Sequence, residues 1–227
     1  MATRPKLKNI VSPQGIAIYP KLNAPDTKFK ADGEYSVKIR MSAEEAQPLV
    51  DQIEAELQQK FDAEKAELMA GDGKAKLKAK AMKVSSNRPY GDCADDEGEP
   101  TGEVWFKFNS NARVKREGKA DLILKPDFFD ASGKSLKVPP EIWGGSTLAI
   151  AASLQPYNTP AAGFGIKLRL NAVQIIELSS GGNRDAGGYG FGKSEGGYEG
   201  ADEPEGGSSP FSGGDAPAAE GAGSDDF

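Results

Sequence analysis

Along Glu103-Val-Trp-Phe-Lys-Phe-Asn-Ser-Asn-Ala-Arg113 two kinds of residue alternate. Val104, Phe106 and Phe108 share one parity; Trp105, Lys107, Asn109, Asn111 and Arg113 share the other. Successive side chains of a strand point to opposite faces, so the first set reads as a core face and the second as an outward one. A tryptophan among lysine, asparagine and arginine on an outward face has two readings. Either a loop or helix covers it, or its ring stacks on a nucleobase while the neighbouring cations take phosphate, the chemistry of a single-stranded nucleic-acid groove. Two other stretches repeat the pattern. Tyr35, Val37, Ile39 and Met41 alternate with Lys38 and Arg40, and Phe164, Ile166, Leu168 and Leu170 alternate with Lys167 and Arg169. Outward cations on a strand are either a solvated face or a phosphate-contacting one. Lys115, Arg116 and Lys119 carry the basic run into a turn at Glu117-Gly118, and Tyr157, between Pro156 and Pro160, reads as a lone aromatic at the tip of an exposed turn.

Other chemistry finds little support. The chain has no histidine, which removes the commonest general base and metal ligand, and one cysteine, Cys93, so neither an intrachain disulfide nor a cysteine-based zinc site is expected. Asp92, Asp95, Asp96, Glu97 and Glu99 lack the alternate-ligand spacing and distal glutamate of a calcium loop. They read as an acidic solvated loop within Arg88–Gly102 and are the sole support for a carboxylate-based nuclease. Gly144-Gly-Ser146 lacks the following helix or Lys-Ser/Thr of a phosphate cradle. No cofactor, metal or catalytic residue is expected. No stretch approaches 18 apolar residues and the N-terminus has no apolar run, so neither a membrane span nor a secretory signal is expected.

These side chains need strands to hold them. Residues 1–9, with Arg4, Lys6 and Lys8, read as a mobile basic arm. A short strand from Gly15 is expected to end at Pro20, followed by a turn-rich loop over Asn23–Asp32 and a strand over Glu34–Met41. Ser42-Ala-Glu-Glu45 has the form of a capping box. An amphipathic helix follows to about Ala70, with Leu49, Ile53, Leu57, Phe61 and Leu68 on its stripe, and Gly71 and Gly73 stop it. Pro48 marks a kink or a later start. Lys74, Lys76, Lys78, Lys80 and Lys83 read as extended, with their charges on one side, either solvated or phosphate-contacting. Beyond the Trp105 strand come a returning strand over Asp121–Lys125, a turn at Asp130–Gly133, a rigid loop over Val138–Ser146, and a strand with Leu148, Ile150, Ala152 and Leu154 inward. The tally is five or six strands in hairpins with one inserted helix, and five-stranded barrels of this kind bind oligonucleotides across one face.

The end of the chain differs from all of this. Ser180 to Phe227 holds 15 of the 28 glycines and sets Arg184 and Lys193 against ten carboxylates, a net −8 in a chain of net −6, which leaves the rest at +2. Such a segment buries too little apolar surface to offset the entropy of ordering, and it reads as disordered. It is either a solubilising tail or a recruiting one. Phe227 directly after Asp225 and Asp226 supports the second, since an aromatic flanked by carboxylates suits a basic pocket with an apolar floor.

Taken in order, Gly33–Val37, Phe106–Phe108, Asp130–Lys134, Ile142–Leu148, Ser153–Tyr157, Lys167–Leu170 and the closing Asp226-Phe227 resemble the single-stranded DNA-binding protein of short-tailed (podovirus) bacteriophages. The resemblance spans nearly the whole chain; its specificity lies in the ordered set. It implies a mainly β protein: a five-stranded OB-fold barrel over 1–179, a helix inserted at about 43–70, and a disordered acidic tail over 180–227. It also implies sequence-independent single-stranded DNA binding in phage replication, recombination and repair, inside the infected bacterial host. Tyr157 and Lys107 match positions implicated in DNA contact in that family, and Phe227 matches its terminal aromatic. Phosphates are then expected along Lys38, Arg40, Lys107, Arg113, Lys115 and Lys167, with bases on Trp105 and Tyr157. The tail, through Asp225, Asp226 and Phe227, is expected to compete with DNA and to meet DNA polymerase, primase-helicase or a second protomer in a homodimer. Two departures are the glycine-rich, less densely acidic tail and Asn109, where the family can carry a second lysine. A non-DNA-binding adaptor, whose barrel only carries the tail, is the alternative.

Overall fold

The computed structural model describes residues 7–116 and 118–179. Residues 1–6 of the expected arm, and the expected disordered tail with Asp225, Asp226 and Phe227, lie outside them. In chain order the elements are β1 (Lys8–Val11), β2 (Gly15–Asp26), β3 (Glu34–Ser42), α1 (Ala43–Ala70), α2 (Gly73–Ala81), β4 (Tyr90–Ala94), β5 (Pro100–Asn111), β6 (Arg113–Val114), β7 (Leu122–Ile123), β8 (Asp127–Phe129), β9 (Thr147–Thr159) and β10 (Gly163–Glu177).

Five long strands close on themselves. β2 pairs with β3, β3 with β5, β5 with β10, β10 with β9, and β9 returns to β2 through Gly15 opposite Leu148. All these pairings are antiparallel except β5 with β10. This closed five-stranded path is the OB-fold barrel. α1, α2 and β4 are inserted between its second and third strands.

The inward alternation holds along β3, β5, β9 and β10, while on β2 Ala17 is buried and Ile16 is exposed. Tyr35, Val37, Ile39, Met41, Val104, Phe106, Phe108, Leu148, Ile150, Ala152, Leu154, Phe164, Ile166, Leu168 and Leu170 are all buried in one core. α1 adds Ala46, Leu49, Ile53, Leu57 and Phe61, the last meeting Phe164 edge to face at 5.7 Å. The Ser42–Glu45 capping box is formed, and α1 starts at Ala43 and runs through Pro48 to Ala70. Pro48 is the sixth helical residue, past the first turn, so its missing N–H costs the helix the bond to Glu44 O without ending it.

Several expectations are corrected. β2 does not end at Pro20: a register shift between the Ile18 and Lys21 pairings absorbs one residue, and the strand continues to Asp26. Lys8 and Asn9 are not mobile, because β1 pairs with β9 opposite Leu154 and Ser153. Lys74 to Lys80 are helical, not extended: the Asp72 carboxylate accepts from Ala75 N at 2.8 Å and starts α2. At helical spacing those lysines spread around the axis instead of lining one side. Arg88–Gly102 is largely paired, with Tyr90–Ala94 on β5, and the turn between them is held by Asp95 accepting from Glu97 N and Glu99 N. The returning strand shrinks to Leu122–Ile123, which pairs only with β6. The Gly144-Gly145 loop, not expected to cradle a phosphate, is tied to the barrel, Gly145 N donating to Ala17 O at 2.9 Å.

Candidate nucleic-acid interface

Because Val37, Phe108 and Leu168 point inward on adjacent strands, their neighbours Lys38, Lys107 and Lys167 share the outer face. Lys38 stands opposite Lys107 across β3 and β5. Leu168 pairs with Phe108, so Lys167 lies beside Lys107 one position back. One row over, Ser36 faces Asn109 and Asn109 faces Arg169. Like charges directly opposite one another are destabilising. Among the described residues, none of Lys38, Lys107, Lys167 and Arg169 has a carboxylate within ion-pair distance. Burial, then the charge of Lys30, pulls the Lys167 ammonium below the ordinary lysine range; nearby Glu34 pulls it up and Arg169 pulls it down again. Glu34 is shared between Lys30 and Asn109, whose Nδ2 donates at 3.1 Å.

Trp105 is half-buried beside this row. Lys38 Nζ sits 4.0 Å from the indole centroid, and indole Nε1 donates to Asp92 O at 3.1 Å. The indole lies against Gly91 so closely that a Cβ there would stand 2.8 Å from Cζ2. β4 therefore covers part of this tryptophan, and Lys38 occupies a ring face. Arg40, opposite Trp105, is ion-paired with Glu103.

Tyr157 is not at a loop tip. It lies within β9 opposite Gly165, half-buried, on the same outer face as Lys167. Its ring crosses Gly165, where an added Cβ would stand 2.4 Å from Cζ, and its hydroxyl reaches Ser85 Oγ at 3.3 Å. The segment it touches is held to the barrel by Ser85 N donating to Phe164 O and by Lys107 N donating to Pro89 O. Arg88 of that segment is paired to Glu54 of α1 at 2.6 Å, and Tyr90 Oη donates to the same carboxylate at 2.8 Å. Burial first, then Glu54, pushes the Tyr90 hydroxyl up to about 12.

Arg113 and Lys115 stand apart from the lysine row, on the β6–β7 hairpin that projects past the end of β5; Lys115 lies 3.3 Å from Asp32. Arg169, read as outward but given no role, belongs with the row by the parity it shares with Lys167. The Ser85–Pro89 segment has no periodicity by which the sequence could have marked it.

The family model for the single-stranded DNA-binding protein of bacteriophage T7 matches residues 14–178. The chain belongs to that family. Its members bind and do not catalyse. The chain is 28% identical over 160 residues to the single-stranded DNA-binding protein of enterobacteria phage T3, covering 67% of this chain and 66% of that protein's length. It is 34% identical over 87 residues to the protein of the same name from Escherichia phage T7, covering 37% of this chain and 38% of that one. The crystal structure of gp2.5, a single-stranded DNA-binding protein encoded by bacteriophage T7, superposes with a TM-score of 0.64 at 25% identity, over 86% of this chain and 100% of that one. The single-stranded DNA-binding protein of bacteriophage Enc34 in complex with ssDNA shares the fold, with a TM-score of 0.50 at 16% identity, over 77% and 89% of the two chains. Among the described residues no helix is long and apolar enough to cross a membrane.

Proposed function

We propose that this family member binds single-stranded DNA without regard to sequence and acts in phage DNA replication, recombination and repair in the cytoplasm of the infected host. The observation that carries the reading is the row Lys38–Lys107–Lys167 across three adjacent barrel strands. Three cations held side by side cost stability unless an anion joins them, and a phosphate backbone supplies that anion repeatedly along its length. Bases stack on Trp105 once Lys38 swings from its ring to a phosphate, and on Tyr157, each stack contributing about 1–3 kcal/mol. Arg40 shares its charge with Glu103, while Arg113 and Lys115 extend the phosphate path onto the hairpin.

The second part of the proposal concerns the division of the chain into a DNA-binding unit, 1–179, and a tail, 180–227. The tail's net −8 makes it a rival polyanion for the lysine row. DNA displaces it, and Asp225, Asp226 and Phe227 are then available to DNA polymerase, primase-helicase or a second copy of the chain.

The test is a fluorescence titration with oligothymidylate at low and moderate salt, using the full chain and a chain ending at Ser179. Salt-sensitive quenching, with tighter binding by the shorter chain, is expected. Equal affinities at low salt would remove the competing tail and keep the groove. No binding by either chain would overturn the reading in favour of the adaptor.

A further inference from the structure

Tyr19 is 83% exposed and carries a backbone φ of +48°, the sole non-glycine positive φ among the described residues. The left-handed region disfavours a large L side chain, and an exposed ring returns little burial energy to offset that strain. The β2 register shift that lets the chain pass Pro20 is what turns this ring outward.

A second exposed aromatic, Trp143 at 48%, stands across a cleft from it. Its loop is rigidly tied down. Ile142 is buried, its N–H donates to Asn23 Oδ1 at 3.0 Å, Asn23 Nδ2 donates to Pro140 O at 2.7 Å, and Ala17 N donates to Ser146 O at 2.8 Å. The cleft leads back to Trp105: the trough lined by Trp105, Ile16, Ile18, Asp92 and the ion-paired Arg40 and Glu103 ends at Tyr19 and Gly144, which also line the Trp143 cleft.

Resting on the proposed DNA-binding function, we infer that Tyr19 and Trp143 form a second nucleobase-stacking subsite, reached by a DNA strand that leaves the lysine row past Trp105. The occupant is single-stranded DNA and not a peptide, because the trough opens at Trp105, whose ring Lys38 of the lysine row covers, and Lys21 flanks the far end of the cleft. Glu141 on the same wall sets the role as stacking rather than phosphate binding.

Tyr19→Gly separates function from stability. Glycine relieves the positive φ, so thermal stability holds or rises, whereas affinity of the full chain for a long oligothymidylate falls roughly five-fold or more with an unchanged salt slope. Trp143→Ala gives a similar loss. In a Trp105→Phe protein, Trp143 is the remaining tryptophan, and saturating oligothymidylate quenches it. Wild-type affinity in both variants, or unquenched Trp143 at saturation, overturns the subsite while leaving DNA binding intact. Failure of the unmodified chain to bind DNA overturns both readings.

Discussion

Two charged regions lie close together on this molecule and are built in opposite ways. In the first, carboxylates are answered: Glu54 of α1 receives Arg88 and Tyr90, and the buried Glu56 lies 3.7 Å from Lys8 and 3.6 Å from Lys60. In the second, cations are gathered on β3, β5 and β10 with no carboxylate within ion-pair distance of the lysine row among the described residues, Glu34 acting on Lys167 from farther off. The first arrangement satisfies itself and pins the helix and the Ser85–Pro89 segment to the barrel. The second, on the proposed function, is completed by the phosphates of single-stranded DNA. The difference separates charge that is paired within the fold from charge left unpaired on its surface.

Substitutions can pull these two apart. The largest effect is expected from removing Lys38 and Lys107 together: single-stranded DNA binding weakens at every salt concentration, and the slope of log affinity against log salt flattens by about 1.4. An unchanged slope would take both lysines off the phosphate path. Next come Trp105→Ala and Tyr157→Ala, each expected to lower affinity by about 1–3 kcal/mol at constant slope; a slope change in either would merge stacking with charge. In the other region, Glu54→Ala leaves Tyr90 without its acceptor and Arg88 with the Ser85 carbonyl alone. It should cost about 1–3 kcal/mol of stability in a thermal melt, with the DNA salt slope preserved. If the slope falls instead, the two regions are one.

The smallest expected effect is a pH dependence. The Lys167 ammonium lies below the ordinary lysine range, chiefly through burial. Bound phosphate favours its charged form, so DNA affinity should fall as pH rises through that lowered value, at lower pH than an ordinary lysine would cause, and Lys167→Arg should flatten the profile. The unliganded protein should gain stability over the same window, because the unfolded chain still holds a proton that the native lysine has shed. Parallel pH profiles for the original and arginine proteins would remove Lys167 from the contact.

The sequence by itself determined which side of each long strand faces the core. Period-two alternation is a local property, and Tyr35 to Met41, Val104 to Phe108 and Phe164 to Leu170 carry it without interruption. It likewise determined the capping box at Ser42, since the partners stand three residues apart. The tertiary structure decided what depends on a neighbour distant in the chain. Tyr157, flanked by prolines, has the local signs of a turn, yet pairing with β10 keeps it in a strand and lays its ring across Gly165. Pro20 reads as a terminator, yet a bulge carries β2 past it because its partners on β3 continue. Lys74 to Lys80 alternate with apolar residues and suggest an extended segment, but Asp72 starts a helix there. The lysine row itself needed the order of strands, since Lys38, Lys107 and Lys167 are remote in sequence and only closure of the barrel sets them side by side.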